Sequence, residues 1–259
     1  ALKIDFSNEF EVIFIDNDST DGTYDELQKL NTNNLISIYK NDSNVGFGGN
    51  FIEVLKRSKG KYAIWVSDED AIEVSRIKKL VEYLKKENPD VLVLNHFKKI
   101  ENQLYPIRLN KSNLIQENNL WAACHLPGNI WKRKSVEILY NSWEYYIENY
   151  PQLTRYYPNL LLMVFLIPKK KSFFHNNYLT YQKDFMKSSH IAPSHYSYPN
   201  LIPRWLQHNE ILKFISYLID EKSDLNKTSL LKIKNNLNKN IYIMISNAIY
   251  EENKEIYYH

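Results

Sequence analysis

Three acidic side chains follow directly after an apolar stretch of the chain. Residues 61–70 read KYAIWVSDED, so the apolar run ends at Val66 and the chain continues through Ser67 into Asp68, Glu69 and Asp70. A strand without polar alternation is typical of a sheet that helices cover on both faces, and such sheets bind ligands beyond the carboxyl ends of their strands. If the segment stays extended, Asp68 and Asp70 lie on one face. We therefore predict that both carboxylates lie where chemistry takes place.

A second acidic segment follows an earlier apolar run. Residues 11–15 read EVIFI and continue into DNDSTDGT at residues 16–23, about fifty residues before Asp68. Carboxylates at the ends of two neighbouring parallel strands can hold Mg²⁺ or Mn²⁺ that bridges a diphosphate, which would stabilise a departing nucleoside diphosphate. An Asp-X-Asp triplet is a weak signal by itself, and its position after a buried strand carries the prediction. The alternative is an acidic cluster that begins the next helix near its positive dipole end.

Strand and helix signals alternate through the first 97 residues. Apolar runs at 11–15, 35–39, 61–66 and 91–94 predict strands, and a helical pattern follows each of the first three. The clearest of these helices contains the apolar residues between Val74 and Leu84 and ends near Asn88. This order predicts an α/β fold, in which helices flank a mainly parallel sheet with right-handed crossovers.

The rest of the chain is less regular. Residues 98–200 lose the alternation and are interpreted as a smaller half that closes over the sheet edge, and residues 201–259 as a helical C-terminal tail. The apolar run at 160–167 predicts a buried helix, with a membrane-surface element as the alternative. One apolar stripe among lysines predicts that the tail packs onto the body or onto a partner subunit. The stripe consists of Leu230, Ile233, Leu237, Ile241, Met244 and Ala248.

Composition indicates a globular protein. The chain has 259 residues, of which 44% are hydrophobic, so it can bury a substantial core. A net charge of +3 against 33 basic residues gives no argument for nucleic acid as a partner. Cys124 is the single cysteine and cannot form an internal disulfide, and no apolar stretch reaches the about 18 residues of a membrane span. We expect a cytoplasmic protein, with contact at the inner face of the membrane and the oligomeric state left open.

Three successive motifs resemble those of family 2 glycosyltransferases, which have the GT-A fold. They are EVIFIDNDSTDGT at 11–23, NVGFGGN at 44–50 and YAIWVSDED at 62–70, in the order and spacing of that family. The wording WVSDED is most similar to bacterial enzymes that build surface polysaccharide, capsule or lipopolysaccharide, including abequosyltransferase-like ones. The family opens with a strand and loop that form one wall of the nucleotide pocket. Nothing before Phe10 supplies this strand, so we expect that it is missing.

The resemblance implies a fold and a reaction. It implies a GT-A, Rossmann-like fold with a nucleotide-sugar-binding half in residues 1–97 and an acceptor-side half in residues 98–200. The implied reaction is metal-dependent transfer of a hexosyl group from a nucleoside diphosphate sugar, with inversion at the anomeric carbon. The implied acceptor is a hydroxyl of a surface glycan or lipid-linked saccharide, and the implied cofactor is Mn²⁺ or Mg²⁺.

On the donor side, the resemblance assigns roles to residues of the first two motifs. Asp16 and Asn17 match the pair that contacts the nucleotide base and ribose, with Ser19 and Asp21 shaping the turn behind them. Gly48 belongs to a glycine-rich motif that either lets the backbone approach the substrate or shapes a helix start.

The implied metal ligands and catalytic base lie further along the chain. Asp68 would approach the ribose or the metal, and Asp70 matches the acid that coordinates the metal and supports catalysis. Gly128 begins GNIWKR, which is faintly similar to the loop and strand that shape the acceptor side. Glu148 is the first candidate for the base that takes the proton from the acceptor hydroxyl, and Glu144 is the second.

Two other classes of protein remain open from the sequence. Residues 14–20, FIDNDST, also fit the opening motif of haloacid dehalogenase-like phosphohydrolases, in which Asp16 would attack phosphorus and Asp18 would act as acid or base. In that class the closing acidic motif normally lies much further along the chain, whereas here the second acidic motif follows after only one intervening βα unit. A non-catalytic nucleotide-sugar-binding protein is the third possibility. His175, His190 and His195 lie where related enzymes sometimes add a metal ligand or a phosphate contact, and the sequence does not choose among them.

Overall fold

The computed structural model describes residues 10–30, 35–67, 70–101, 103–108, 115, 120, 126–169, 171–182, 201–222 and 225–239. Its strands are β1 (Val12–Asp16), β2 (Ile36–Lys40), β3 (Tyr62–Ile64), β4 (Asp70–Ile72), β5 (Val91–Ile100), β6 (Gln103–Arg108), β7 (Asn129–Lys132) and β8 (Ser172–Gln182). Its helices are α1 (Thr23–Gln28), α2 (Gly46–Arg57), α3 (Ile77–Glu87), α4 (Arg133–Asn141), α5 (Trp143–Asn149), α6 (Pro151–Tyr156), α7 (Pro158–Leu166), α8 (Leu201–Glu221) and α9 (227–239). Short 3₁₀ turns cover Val74–Arg76 and Ile167–Lys169.

The first part of the chain follows the predicted alternation of strands and helices. β1, α1 and β2 form a parallel crossover unit in which Val12 lies opposite Ile36 and Asp16 opposite Lys40. α3 ends where the sequence indicates, because Asn88 adopts a left-handed conformation (φ 45°) and its N–H still bonds to the Leu84 carbonyl. The predicted α/β class is therefore confirmed.

The pairing within the sheets differs from the mainly parallel arrangement that the sequence predicts. Among the described residues, β1–β2 and β5–β8 are parallel, whereas β3–β7, β5–β7, β5–β6 and β4–β8 are antiparallel. The larger sheet has the order β3-β7-β5-β8-β4, with β6 on β5. β3 and β5 both run antiparallel to β7, so they are parallel to each other, as their helical crossover requires, but β7 separates them. The expectation that the strands before Asp16 and Asp68 are neighbours is wrong, because β1 pairs with β2 in a two-stranded sheet while β3 pairs with β7 in the larger one.

α2 joins the two sheets. Its inner face buries Phe51, Ile52 and Leu55, at the three- and four-residue spacings of a helix. The Phe51 ring meets the Trp131 ring of β7 edge-on at 5.8 Å. Burying a side chain of this size contributes roughly 1.5–3 kcal/mol. α2 therefore has a firmly held inner face, and its N-terminal turn is positioned by that packing.

α7 is the internal helix that the sequence predicts. Every residue from Pro158 to Leu166 is buried, so the helix is apolar on all sides because protein surrounds it on all sides. The buried-helix interpretation of residues 160–167 is confirmed. Within the described part of the chain, no helix combines the length and the apolar character needed to cross a bilayer.

The C-terminal helices pack onto the body. Phe214 and Ile215 of α8 are buried, and so are Leu230, Ile233 and Leu237 of the predicted stripe. These residues belong to the same hydrophobic cluster as α2 and α7. The prediction of packing onto the body is confirmed for α8 and α9, while Ile241, Met244 and Ala248 lie outside the described residues.

Candidate functional site

The turn after β1 is built around the carboxylate of Asp16. This side chain is buried, and its Oδ1 accepts a hydrogen bond from the backbone N–H of Ser19 at 2.8 Å. Asp18 between them adopts a left-handed conformation (φ 62°), which Asp tolerates better than most residues, and Lys40 Nζ lies 3.3 Å from its Oδ1. Asp16 and Ser19 are therefore together at the end of β1 as predicted, and Ser19 takes part through its backbone.

Four asparagines, which we call the asparagine network (Asn17, Asn41, Asn44 and Asn50), connect this turn to α2. Asn17 Nδ2 donates to Asn44 Oδ1 at 2.9 Å and to the Gly46 carbonyl at 3.3 Å. Asn17 Oδ1 accepts from Asn41 Nδ2 at 3.0 Å and from the Val45 N–H at 3.1 Å. The network continues from Asn41 Nδ2 to Asn50 Oδ1 and from Asn50 Nδ2 to the carbonyl of Ile15 in β1.

Asn17 thereby uses the full hydrogen-bonding capacity of its side chain within the protein. An amide side chain has two donor hydrogens and two acceptor lone pairs, and all four are occupied. Its observed role is to hold the end of β1 against the start of α2, while its contact with a base or ribose stays a prediction. Sequence reasoning missed the part played by Asn41 and Asn50. The available signal was the recurrence of asparagine at the end of β2 and at both ends of the glycine motif.

Glycine is required at two positions beside the network for different structural reasons. Gly46 begins α2 with a left-handed backbone (φ 72°), which glycine adopts at no steric cost. Gly48 is buried, and a Cβ placed there would lie 1.7 Å from the backbone carbonyl oxygen of Thr154 in α6. The structure thus explains Gly48 by helix packing, and its contact with substrate stays a prediction.

Asp21 shapes the start of α1, as predicted. Its Oδ1 accepts from the Thr23 N–H at 3.0 Å and from the Thr23 hydroxyl at 2.6 Å. Gly22 between them has a left-handed backbone (φ 85°). Because the side chain of Asp21 is exposed and turned to this cap, its observed role is in local folding.

Asp70 is the described member of the acidic triplet. Its backbone N–H donates to the Ser67 carbonyl at 3.0 Å. Asp68 and Glu69 lie outside the described residues, so the shared face of Asp68 and Asp70 stays a prediction. Asp70 begins β4, where it lies opposite Gln182 of β8.

The sequence did not identify His96, which faces Asp70, or Thr180, which contacts His96. Asp70 Oδ1 lies 3.7 Å from His96 Nε2, and both side chains are only 2% exposed. His96 Nδ1 in turn lies 3.3 Å from the hydroxyl of Thr180. His175, the candidate within the described residues, instead meets the Tyr83 ring edge-on at 4.5 Å, and burial lowers the pKa of its imidazole.

The acidic residue at the head of β4 fits one part of a divalent metal site. The described residues contain no group of three or more His, Cys, Asp or Glu side chains that could hold an ion by themselves. Mg²⁺ in nucleotide sites is commonly bound by one or two carboxylates, with the remaining ligands from phosphate and water. Asp70 supplies one such hard oxygen donor, so the chemistry of the residue fits.

The candidates for the acceptor side lie on different elements, Gly128 before β7 and the two glutamates on α5. Gly128 has a left-handed backbone (φ 78°) just before β7, and its carbonyl accepts from the N–H of Leu94 at 2.9 Å, two residues before His96. It therefore lies beside the part of β5 that carries His96. Glu144 and Glu148 are exposed on α5. The catalytic base stays a prediction.

Comparison with known proteins identifies a family and a fold. Residues 2–142 match the sequence profile described as Glycosyl transferase family 2, which is more than half of the chain. No protein of curated function matches the sequence. A crystal structure of Staphylococcus aureus TarS 1–349 in complex with UDP-GlcNAc aligns with a TM-score of 0.62 and 15% identity, covering 87% of this chain and 62% of that one.

A second structural relative supports the same fold. The mannosyltransferase PcManGT from Pyrobaculum calidifontis, in complex with GDP-Man and Mn²⁺, aligns with a TM-score of 0.52 and 12% identity. The alignment covers 93% of this chain and 64% of that one, so the present chain spans less than two thirds of either relative. The predicted GT-A-like α/β fold, with helices flanking the sheets, is confirmed.

Proposed function

The chain belongs to glycosyl transferase family 2, and on that premise we propose that it transfers a sugar from a nucleoside diphosphate sugar to an acceptor hydroxyl. The observation that carries the proposal is the pair of strand ends described above. Asp16 and the asparagine network form a rigid turn after β1, and the buried carboxylate of Asp70 begins β4, all within the family-matched segment. The phosphohydrolase alternative loses its basis, because the family accounts for the DNDST segment.

The proposed reaction is a direct displacement with inversion. The acceptor oxygen attacks the anomeric carbon, the bond from that carbon to the diphosphate oxygen breaks, and a base takes the hydroxyl proton. Asp70, with Asp68, would hold Mn²⁺ or Mg²⁺, and such an ion supplies positive charge that offsets the charge of the departing diphosphate. Glu148 is the proposed base, and Glu144 is the second candidate.

The donor and acceptor halves are part of the same proposal. We assign donor binding to residues 1–97 and acceptor binding to residues 98–200, which include Gly128. The relatives with bound UDP-GlcNAc and with GDP-Man and Mn²⁺ support a nucleotide-sugar donor and a divalent ion. A hexosyl donor and an acceptor in a bacterial surface glycan or lipid-linked saccharide are the finer proposals, which rest on the WVSDED motif.

Thermal unfolding tests donor binding directly. The purified chain is heated with Mn²⁺ or Mg²⁺ and with each of UDP, GDP, dTDP and CDP, since a ligand that binds only the folded state stabilises it by about 2.7 kcal/mol at 100 times Kd. We expect one nucleotide to raise the Tm in a metal-dependent manner. Asp70→Asn should abolish that shift, and Asp220→Asn, an exposed acid on α8, should keep it.

Turnover then separates an enzyme from a binding protein. With the matching nucleotide sugar and a saccharide acceptor, the enzyme should release the nucleoside diphosphate, and Asp70→Asn should lose most of this activity while its circular dichroism stays native. Wild-type turnover in Asp70→Asn would contradict the metal assignment. Nucleotide binding without release from any donor would favour the non-catalytic alternative.

A further inference from the structure

We infer that His96 is a positioning residue for Asp70: the imidazole fixes the orientation in which that carboxylate meets a metal-bound diphosphate. The inference rests on the proposed function, because it concerns the residue proposed to hold the ion. It adds a role to a residue of β5, outside the three motifs of the donor half. Thr180 of β8 is the third member of this buried cluster.

The cluster connects three neighbouring strands. β8 lies between β4 and β5 in the sheet, and Asp70 of β4 lies opposite Gln182 of β8. Thr180 is two residues before Gln182, so it lies on the same face of β8. His96 Nδ1 is 3.3 Å from the Thr180 hydroxyl and His96 Nε2 is 3.7 Å from Asp70 Oδ1. The ring is therefore anchored at one nitrogen and faces the carboxylate with the other.

The backbone of β5 departs from regular pairing at His96 on both of its sides. The ladder to β6 shifts register between His96 and Phe97, and the ladder to β8 shifts between Asn95 and Phe97. Such bulges turn a side chain away from its regular direction and occur often beside active sites. This backbone irregularity is an observation independent of the side-chain distances, and it also singles out His96.

The cluster of Asp70, His96 and Thr180 is buried, which makes it costly for stability. Side-chain exposure is 2% for both Asp70 and His96, and Thr180 is fully buried. Taking a carboxylate and an imidazole out of water is costly unless they are paired, so a purely structural cluster would be more stable with apolar residues. A metal-binding carboxylate, by contrast, gains from a partner that restricts its rotation, and losing such a partner typically lowers metal affinity or activity about 10–100-fold.

Variants of His96 can separate positioning from folding. His96→Gln keeps a donor near the place of Nε2, His96→Leu removes it, and Thr180→Val removes the hydroxyl that anchors Nδ1. The matched control is His208→Gln, a buried histidine of α8 that has no assigned role at the site. Circular dichroism and urea unfolding report whether each variant is folded.

The measured quantity is the affinity for Mn²⁺, titrated calorimetrically into protein saturated with UDP or with GDP, alongside nucleotide binding in EDTA. We expect His96→Leu to weaken Mn²⁺ binding about 10–100-fold, His96→Gln and Thr180→Val to weaken it less, and the control to match wild type. Nucleotide binding in EDTA should be the same for all four variants. This order of affinities would support the positioning role.

Three results would overturn the inference, and they differ in what they mean for the proposed function. If wild type binds Mn²⁺ with nucleotide and folded His96→Leu binds it equally well, the positioning role fails and the proposed function stands. If His96→Leu loses stability but not metal affinity, the cluster is structural. If wild type itself shows no Mn²⁺-dependent binding of UDP or GDP, the proposed function fails first, and the inference fails with it.

Discussion

Replacing Gly48 with alanine should destabilise the protein, although alanine is the better helix former. A Cβ at this position would lie 1.7 Å from the Thr154 carbonyl oxygen and 2.8 Å from its carbonyl carbon. Both atoms belong to the backbone of α6, so neither can rotate away. The two helices would have to separate by more than 1 Å to restore an ordinary contact.

The magnitude follows from two opposing effects. Changing glycine to alanine inside a helix gains about 1 kcal/mol in propensity. Overpacking a well-packed interface costs typically 1–3 kcal/mol, and more when backbone must move. Moving α2 also disturbs the buried contact between Phe51 and Trp131. We therefore expect Gly48→Ala to lower the free energy of unfolding by about 2 kcal/mol, or the Tm by roughly 4–8 °C in a domain of this size.

Gly49→Ala is the matched control in the same helical turn. Its Cβ would meet the Cβ and Cγ2 of Val45 at 2.9 Å, and because the Cβ of Val45 is fixed to its backbone, this exposed residue before α2 would have to shift, rather than a packed helix. We expect the cost of that shift to offset the helix-propensity gain of about 1 kcal/mol, so that the variant stays close to wild type in stability. Both variants replace glycine with alanine, so they differ only in the atoms that the new methyl group meets.

Urea unfolding followed by tryptophan fluorescence and by circular dichroism measures both variants. A lower midpoint for Gly48→Ala than for Gly49→Ala would confirm the packing explanation. Equal midpoints, or a Gly48→Ala protein as stable as wild type, would refute it. Normal stability combined with lost nucleotide binding would instead indicate that Gly48 contacts the donor.

Two further predictions concern a buried histidine and the asparagine network. Burial lowers the pKa of His208, so below the unfolded-state pKa of about 6.5 the unfolded chain binds more protons than the folded one. The stabilising contribution of neutral His208 should therefore be complete above that pH and fall as the pH decreases. Urea midpoints between pH 5 and 8 should decline less for His208→Gln than for wild type. Identical profiles would contradict this assignment. Asn17→Asp replaces the donor to Asn44 and Gly46 with an acceptor, so it should lower the free energy of unfolding by about 1–3 kcal/mol and weaken nucleotide binding. The control Asn209→Asp changes an exposed asparagine of α8 and should leave both stability and nucleotide binding unchanged. An Asn17→Asp protein with the wild-type urea midpoint would exclude this structural role.

Local patterns in the sequence were sufficient for most elements of the first 97 residues and for the family. The apolar run at residues 11–15 predicts β1, and the periodic apolar residues from Val74 predict a helix that ends where Asn88 turns left-handed. These signals are local, because helix and strand periods and turn residues act over a few positions. The order of the three acidic and glycine-rich motifs then indicated the glycosyltransferase family before any contact was known.

The order of the strands was decided only by tertiary structure. The alternating pattern predicts that β3 and β5 run in the same direction, and they do. It contains no information that β7, from the irregular half, lies between them. A strand shows which of its faces is buried but not which edge it pairs with, because every strand edge offers the same backbone donors and acceptors.

The details of the site depend in the same way on residues that are distant in the chain. His96 meets Thr180 across 84 residues, and Gly48 is required by the carbonyl of Thr154. Asn17 is bound by the network to residues between 24 and 29 positions away. The sequence by itself determined which residue types lie at the strand ends. Which of them are already committed to the protein's own hydrogen bonds was decided by atoms that meet only when the chain is folded.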